Sequence, residues 1–307
     1  MIRTSVREVS ISAAEAGQRL DNFLLRELKG VPRSRVYKMF RKGEVRVNKG
    51  RIKPHYKVKT GDIVRIPPVT LDSIKKDPYI TDSNKELMKK SVLVDDADLL
   101  QINKPAGLPV HAGSKLSFGV IEVVRATYPE LDFIELAHRL DRYTSGCLLL
   151  AKNRTILQEI HTALRDHTAV KHYFCLVAGK WPHEISEITT PLKRERGGKQ
   201  SRTIVSESGK SAKSVFTLVE SFANASLMKV SIHTGRTHQI RVHAASSGHP
   251  ILGDELYGNH ELNKEISKKG LTRQFLHASS MELVLNNENR IFNAPLPDDL
   301  NAVLDRI

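Results

Sequence analysis

The chain has 307 residues, 40% hydrophobic and 27% charged, which is enough for one large and one small domain with a sizeable core. No run approaches the ~20 apolar residues that span a bilayer, and the start "MIRTSVREVSIS" lacks the apolar centre of a signal peptide, so a cytoplasmic protein with no membrane partner is expected. A net charge of +14 points to a polyanionic partner, and eleven Lys/Arg against one acid between Arg33 and Lys59 concentrate that charge in one place.

The first predicted element is a short amphipathic helix in "GQRLDNFLLRELKG", with Leu20, Phe23, Leu24 and Leu28 on one face and Gly30 ending it. A second helix follows in "SRVYKMFRKG", with Ser34 as N-cap and Gly43 as stop. Its Val36, Tyr37 and Phe40 point inward, while Arg35, Lys38, Arg41 and Lys42 gather elsewhere. "EVRVNKGRI" reads as a hairpin turning at Asn48-Lys49-Gly50, and "YKVKTGDIVRIP" as a further strand. Residues 1–66 thus make a small basic module, and Arg33, Arg35, Lys38, Arg41 and Lys42 are its candidate phosphate contacts. Residues 67–90, Pro-rich at first and weakly periodic, read as a linker with a short helix near Asn84–Lys90.

Residues 91–307 change to repeated β runs: "VLVDDADLLQINKP", "CLLLAKN", "VKHYFCLVAGKW", "SAKSVFTLVES" and "SLMKVSIHTG". Three helices are predicted between them, in "FGVIEVVRATYP", "NRTILQEIHTALRDH" and "RTHQIRVHAASSG". The pattern is that of an α+β domain on a mixed, largely antiparallel sheet. Cys147 and Cys175 sit in apolar runs and read as reduced core residues. Metal binding is disfavoured, because His238 and His243 stand five apart, off a common helix face, with no Cys-x-x-Cys nearby. "GSKLSFG" and "RERGGKQ" lack P-loop spacing, and no Gly-x-Ser-x-Gly elbow occurs.

Asp141 is the residue that chemistry singles out. It lies between Arg139 and Arg142 in "AHRLDRYTSGCLLLAKN", where a turn enters an apolar strand. An isolated Arg-Leu-Asp-Arg would more often be a turn cap or a surface ion pair. A carboxylate held at a strand end beside a guanidinium, however, stays ionised and can serve as nucleophile or base.

"HRLDRYTSG" closely resembles the signature of the RluA-type pseudouridine synthases, His-Arg-Leu-Asp-x-x-Thr-Ser-Gly. "LQINKPAGLPVH", "VKHYFCLVAG", "HTGRTHQIRVH", "HPILGDELYG" and "FLHASSMEL" resemble the family's other motifs, in the family's order. The amino-terminal module is similar to the small alpha-L RNA-binding fold first described in a ribosomal protein, and the details look most like the RluC branch. The resemblance implies a cofactor-free and metal-free isomerase that converts uridine to pseudouridine in large-subunit (23S) ribosomal RNA, and a monomer is the default expectation, since nothing in the sequence suggests an interface. The resemblance also implies Asp141 as the catalytic aspartate, Tyr173 stacking on the flipped uracil, and Arg241 pairing with Asp141. Arg139 would fill the gap left by base flipping, and Ile240 and Leu276 would wall the uracil pocket. Tyr143 departs from the family, which usually has an acid there. Two alternatives are a synthase acting on transfer RNA and a non-catalytic RNA-binding or ribosome-assembly factor. The latter would have no need of Asp141, Tyr173 and Arg241 together.

Overall fold

The computed structural model of the chain describes residues 2–28, 31–71, 79–112, 116–195 and 202–307. It divides into two compact units, Met1–Tyr79 and Ile80–Ile307.

In the first unit, helices Leu20–Glu27 and Arg33–Lys42 pack on a four-stranded sheet ordered Arg7–Ser10, Ile63–Ile66, Arg46–Val47, Gly50–Arg51. Leu20, Phe23, Leu24 and Leu28 are all buried with Val36, Met39, Val64 and Ile66, as one apolar face per helix requires. Asn48 and Lys49 both take positive φ, 48° and 67°, the primed-turn geometry that matches the twist of a tight hairpin. Gly43 ends the second helix in the left-handed conformation. Ser34 is not its cap: the helix starts at Arg33 on Pro32, with no side-chain cap bond, since proline's fixed backbone already suits a helix start. Tyr37 also differs from expectation. It is half-buried, and its hydroxyl donates to Asp21 Oδ2 at 2.7 Å, a polar link between the two helices. The expected stop at Gly30 lies outside the described residues.

The segment read as a linker is shorter than 67–90. Residues 72–78 lie outside the described residues, and the flanks each belong to a unit. Thr4 and Val69 exchange hydrogen bonds, Thr4 N to Val69 O at 2.9 Å and Val69 N to Thr4 Oγ1 at 3.0 Å, while Ile2–Arg3 pairs with Thr70–Leu71. Helix Asp82–Lys90, capped by Thr81 Oγ1 on the Asn84 N–H, buries Met88 completely in the second unit's core. The short helix expected near Asn84–Lys90 is thus present, begins two residues earlier at Asp82, and belongs to the second unit.

The second unit is α+β. Its ten-stranded sheet runs Glu187–Ile188, Ser214–Ser221, Ala225–Ile232, Val170–Ala178, Leu276–Leu285, Ser145–Ala151, Leu99–Lys104, Val92–Asp95. Glu288–Asn293 adds to Leu276–Leu285, and Glu135–Leu136 to Ser145–Ala151. Pairing is antiparallel throughout except between Ser145–Ala151 and Leu276–Leu285. Ser145–Ala151 is buried at every position, which explains its unbroken apolar run. The three predicted helices appear as Val120–Thr127, Arg154–Arg165 and Gln239–Ser246. The short hairpin Leu192–Glu195/Arg202–Val205 and helices His260–Ser267 and Asp298–Leu304 carry no clear period in the sequence. Cys147 and Cys175 are buried and unpaired.

Gly146 sits where the parallel strands meet, with φ of 113°, and a Cβ there would fall 2.1 Å from Ala278 O. Gly146→Ala is expected to destabilise the second unit by roughly 2–4 kcal/mol through backbone strain and steric overlap, seen as a lower melting transition by calorimetry.

His277, fully buried beside this junction, donates Nε2–H to Ala294 O at 3.0 Å and so accepts the Ser145 hydroxyl at Nδ1, also at 3.0 Å. Burial pushes its pKa down to about 4, against a weaker upward pull from the Ala294 bond. The unfolded chain therefore binds a proton that the folded state refuses. Stability is expected to fall as pH drops from about 6.5 towards 4, by up to ~1.4 kcal/mol per pH unit from this residue. The measurement is urea unfolding at several pH values, and His277→Asn should flatten the slope.

Candidate functional site

Asp141 lies in the short segment between His138 and the strand Ser145–Ala151, and several neighbours clamp that segment. Arg142 O accepts from Gly107 N at 2.8 Å and from Lys104 Nζ at 3.1 Å. Thr144 N donates to Asp141 O at 3.2 Å, and Gln274 Nε2 to Thr144 Oγ1 at 2.8 Å. Arg273 Nη2 donates to Ser145 Oγ at 3.2 Å. His138 accepts the Leu149 N–H at Nε2, and burial, the largest influence, pushes its pKa down to about 3, so the ring is a neutral acceptor. Lys104 is fully buried, and burial lowers its pKa to about 7 with Arg273 adding to the shift. These bonds brace the backbone on both sides of the Asp141 carboxylate.

The Asp141 side chain looks into a cavity of about 430 Å³. Its ionic partner is neither neighbouring arginine. Arg142 turns away, donating from Nε to Gly107 O at 2.8 Å and lying 5.0 Å from the centre of the Tyr143 ring. Arg139 is exposed at the cavity wall. The partner is Arg241, on the first turn of helix Gln239–Ser246, whose Nη1 donates to Asp141 Oδ2 at 3.1 Å.

Arg241 is itself held from behind. Its Nε and Nη2 form a fork on Asp254, at 2.6 Å to Oδ2 and 2.8 Å to Oδ1. The Asp254 side chain has no exposed surface, and its Oδ1 also accepts the N–H groups of Leu256 and Tyr257. Burial by itself would raise the Asp254 pKa, but the Arg241 hydrogen bonds and charge, together with the two N–H donors, hold it below the ordinary carboxylate value. Burial would likewise lower Arg241, and its two carboxylate partners keep it raised. The Tyr257 ring lies 5.0 Å from the Arg241 guanidinium and closes the remaining face.

The opposite wall comes from strand Val170–Ala178. Lys171 and Tyr173 share one face of it and both line the cavity. A bulge against Leu276–Leu285 falls between His172 and Tyr173, the sort of irregularity that re-aims a side chain at a site. Tyr173 is buried, and burial raises its pKa, with the Asp141 charge adding to the effect. Its hydroxyl is therefore neutral. Burial lowers Lys171 to about 8, with Arg236 pushing the same way. Ile240 and Leu276, both nearly fully buried, supply apolar wall. Asp141, Tyr173, Arg241, Arg139, Ile240 and Leu276, picked out from sequence, all line this one cavity. Tyr143 does not: it is 43% exposed, outside the cavity.

Asp254, Tyr257 and Lys171 were not singled out by sequence reasoning, although each stands in a quoted motif, and His238 was weighed only as a metal ligand beside His243. An aspartate in a glycine turn looks, in sequence, like any solvated turn acid. His243, weighed as a metal ligand, is fully buried and bonded to Ser214 Oγ at 2.9 Å and Thr190 O at 3.1 Å. Among the described residues no group of three His, Cys, Asp or Glu stands together as a metal site.

In the first unit, Arg33, Lys38, Arg41 and Lys42 are exposed on helix Arg33–Lys42. Arg35 is half-buried and ion-paired to Glu44 at 3.1 Å, so part of its charge is already met.

Comparison with known proteins bears on both units. Residues 98–246 match the RNA pseudouridylate synthase family model, and residues 18–64 the S4 domain. The chain is 47% identical to the ribosomal large subunit pseudouridine synthase C of Haemophilus influenzae, with 100% of this chain and 97% of that protein covered. It is 44% identical to the protein of the same name from Escherichia coli K12, over 99% of this chain and 97% of that one. Among solved structures, human RNA pseudouridylate synthase domain containing 4 superposes with a TM-score of 0.61 at 24% identity, covering 73% of this chain and 96% of that one, a likeness of fold. Identity of this extent along the full length, with the synthase model laid across the cavity-bearing unit, makes the chain an RNA pseudouridine synthase, a member of the RNA pseudouridylate synthase family.

Proposed function

We propose that the chain isomerises specific uridines of large-subunit ribosomal RNA to pseudouridine, with Asp141 as the catalytic carboxylate. The observation that carries this reading is the Asp141 carboxylate, 19% exposed, presented to a nucleoside-sized cavity by a guanidinium that a second, buried carboxylate locks in place. The names of the full-length relatives supply the large-subunit RNA.

In the reaction the bond from uracil N1 to ribose C1′ breaks and a bond from C5 to C1′ forms. N1 gains a proton and C5 loses one, so the change balances within the substrate and calls for no oxidant and no water. Glycoside hydrolysis ordinarily uses two carboxylates because one must activate water. Here Asp254 has no such freedom, since it is buried and committed to Arg241. One ionised carboxylate at the sugar suffices whether it attacks C1′ or removes a ribose proton. A uridine within folded RNA must leave its stack to reach Asp141. In the cavity the Tyr173 ring takes one face of the base, Ile240 and Leu276 border it, and Arg139 at the wall enters the space the nucleotide vacates. The exposed Arg33, Lys38, Arg41 and Lys42 contact phosphates, with Arg35 contributing less because of Glu44. The enzyme works as a monomer in the cytoplasm.

Asp141→Asn is expected to abolish tritium release from carbon-5-labelled uridine in large-subunit RNA while RNA affinity stays within about threefold of wild type. Turnover near wild type would contradict the assignment. Release from labelled transfer RNA but not from ribosomal RNA would move the substrate.

Log affinity for this RNA should fall steeply with log salt. The triple change Lys38→Ala, Arg41→Ala, Lys42→Ala is expected to make the slope shallower by about two to three units, read by filter binding across a salt series. An unchanged slope would remove this helix from the interface.

A further inference from the structure

His238 is the N-cap of helix Gln239–Ser246 and carries a left-handed backbone, φ 56° and ψ 22°, rare for a residue with a side chain. Its ring packs edge-on to Tyr257, and its Nδ1 is 2.9 Å from Tyr257 Oη. Its Nε2 points the other way, 3.7 Å from Asp141 Oδ2.

Counting donors decides where the imidazole hydrogen lies. Tyr257 Oη accepts the Thr203 N–H at 2.8 Å. Its own hydroxyl hydrogen needs an acceptor, and His238 Nδ1 is the acceptor at hand. A hydrogen on Nδ1 would instead set two N–H donors on Oη and turn the hydroxyl hydrogen towards Thr203, whose Oγ1 is buried without a bond of its own. A hydrogen on Nε2, the nitrogen that faces Asp141, gives the 2.9 Å contact one donor and one acceptor. The charges around it are Asp141 and Arg139 from the segment before the strand, Arg241 from its own helix and Asp254 from the turn behind. Burial, the largest influence, lowers its pKa with help from the two arginines, while the two aspartates oppose.

We propose that Tyr257 and His238 are positioning residues for Asp141: Tyr257 fixes the His238 tautomer, and the Nε2–H becomes a second donor to Oδ2 beside Arg241. Both donors then converge on one carboxylate oxygen, and Oδ1 is the oxygen presented to the ribose. The 3.7 Å separation is longer than a hydrogen bond and closes as the nucleotide fills the cavity, as contacts of this kind commonly tighten on substrate binding. The proposal rests on the reading of Asp141 as the reacting carboxylate.

The test has a spectroscopic arm and a kinetic arm. In protein labelled with 15N-histidine, two-bond 1H–15N correlations report each ring's tautomer, with His238 assigned by the signals lost in His238→Gln. The expected wild-type pattern is hydrogen on Nε2, changing to a mixture in Tyr257→Phe. Hydrogen on Nδ1 in the wild type, or no change in Tyr257→Phe, overturns the proposal. In tritium release, Tyr257→Phe should lower kcat about tenfold with KM within about twofold, because Asp141 loses a donor. The glutamine of His238→Gln places an amide nitrogen where Nε2 stood, whereas that of His238→Asn reaches only the Nδ1 position. His238→Gln should therefore retain at least about fivefold more kcat than His238→Asn, and equal loss in the two overturns the proposal. The tautomer arm reads the free protein, so its outcome is independent of turnover. An active Asp141→Asn would overturn the reading of Asp141 and leave the tautomer result standing.

Discussion

Everything around the cavity is organised by one guanidinium held between two carboxylates of unequal exposure. Arg241 gives Asp254 a two-point fork and gives Asp141 a single bond from its remaining nitrogen. Asp254 is wholly buried and receives two backbone N–H donors besides, so it is the fixed end of the chain. Asp141 is the accessible end. A buried arginine without Asp254 would be an uncompensated charge, and Asp141 would then have to hold it alone. With Asp254 in place, the cost of burying Arg241 is met elsewhere, and the bond to Asp141 can be single and one-sided.

The fold supplies this arrangement from widely separated parts of the chain. Asp141 enters from the segment before Ser145–Ala151, Arg241 from the start of a helix, and Asp254 from the turn that follows it. The single parallel contact in the sheet, with glycine at 146 to permit it, lets the Asp141 segment lie against Gln274 and Arg273 at the head of Leu276–Leu285. That same strand brings Leu276 to the cavity and carries the bulge opposite Tyr173. Strand pairing, bulge and turn are thus parts of one constraint, since a shift in the register of Leu276–Leu285 would move three walls of the site together.

Much of this was legible in the sequence, and the limits have physical causes. Helices Leu20–Glu27 and Arg33–Lys42 and the central strands announce themselves because each buries one coherent apolar face or run. Asp141, Tyr173 and Arg241 stood out through motif order, and all three line one cavity. The sequence suggested that the arginines flanking Asp141 keep it ionised, whereas the structure turns Arg142 outward to Gly107. Chain neighbours at a turn point in different directions, so adjacency is a poor guide to ion pairing. Asp254 was invisible as a site residue because its importance is burial, and Tyr257 because its partners Arg241 and His238 are distant in the chain, neither of which a polar turn sequence advertises. The helix Asp82–Lys90 was legible as a short helix, but with Met88 as its only buried side chain it did not show that it belongs to the second unit.

Tyr143 shows how placement settles what substitution alone leaves open. The resemblance to the family leads to an expected acid at this motif position, and a ring there could have reached into the cavity. Instead Tyr143 is exposed, stacked under Arg142, while its carbonyl faces Arg273 Nη1 at 3.4 Å. The segment's inward-facing work is done by Asp141 and by Thr144, whose hydroxyl is taken by Gln274. A side chain that turns out of the segment between these two can change from acid to aromatic without altering the charge that Arg241 and His238 see. The lost negative charge instead falls on the outer surface, beside Arg142. There it leaves the surface beside Arg142 more positive, while the Arg241–Asp254 pair behind Asp141 is untouched.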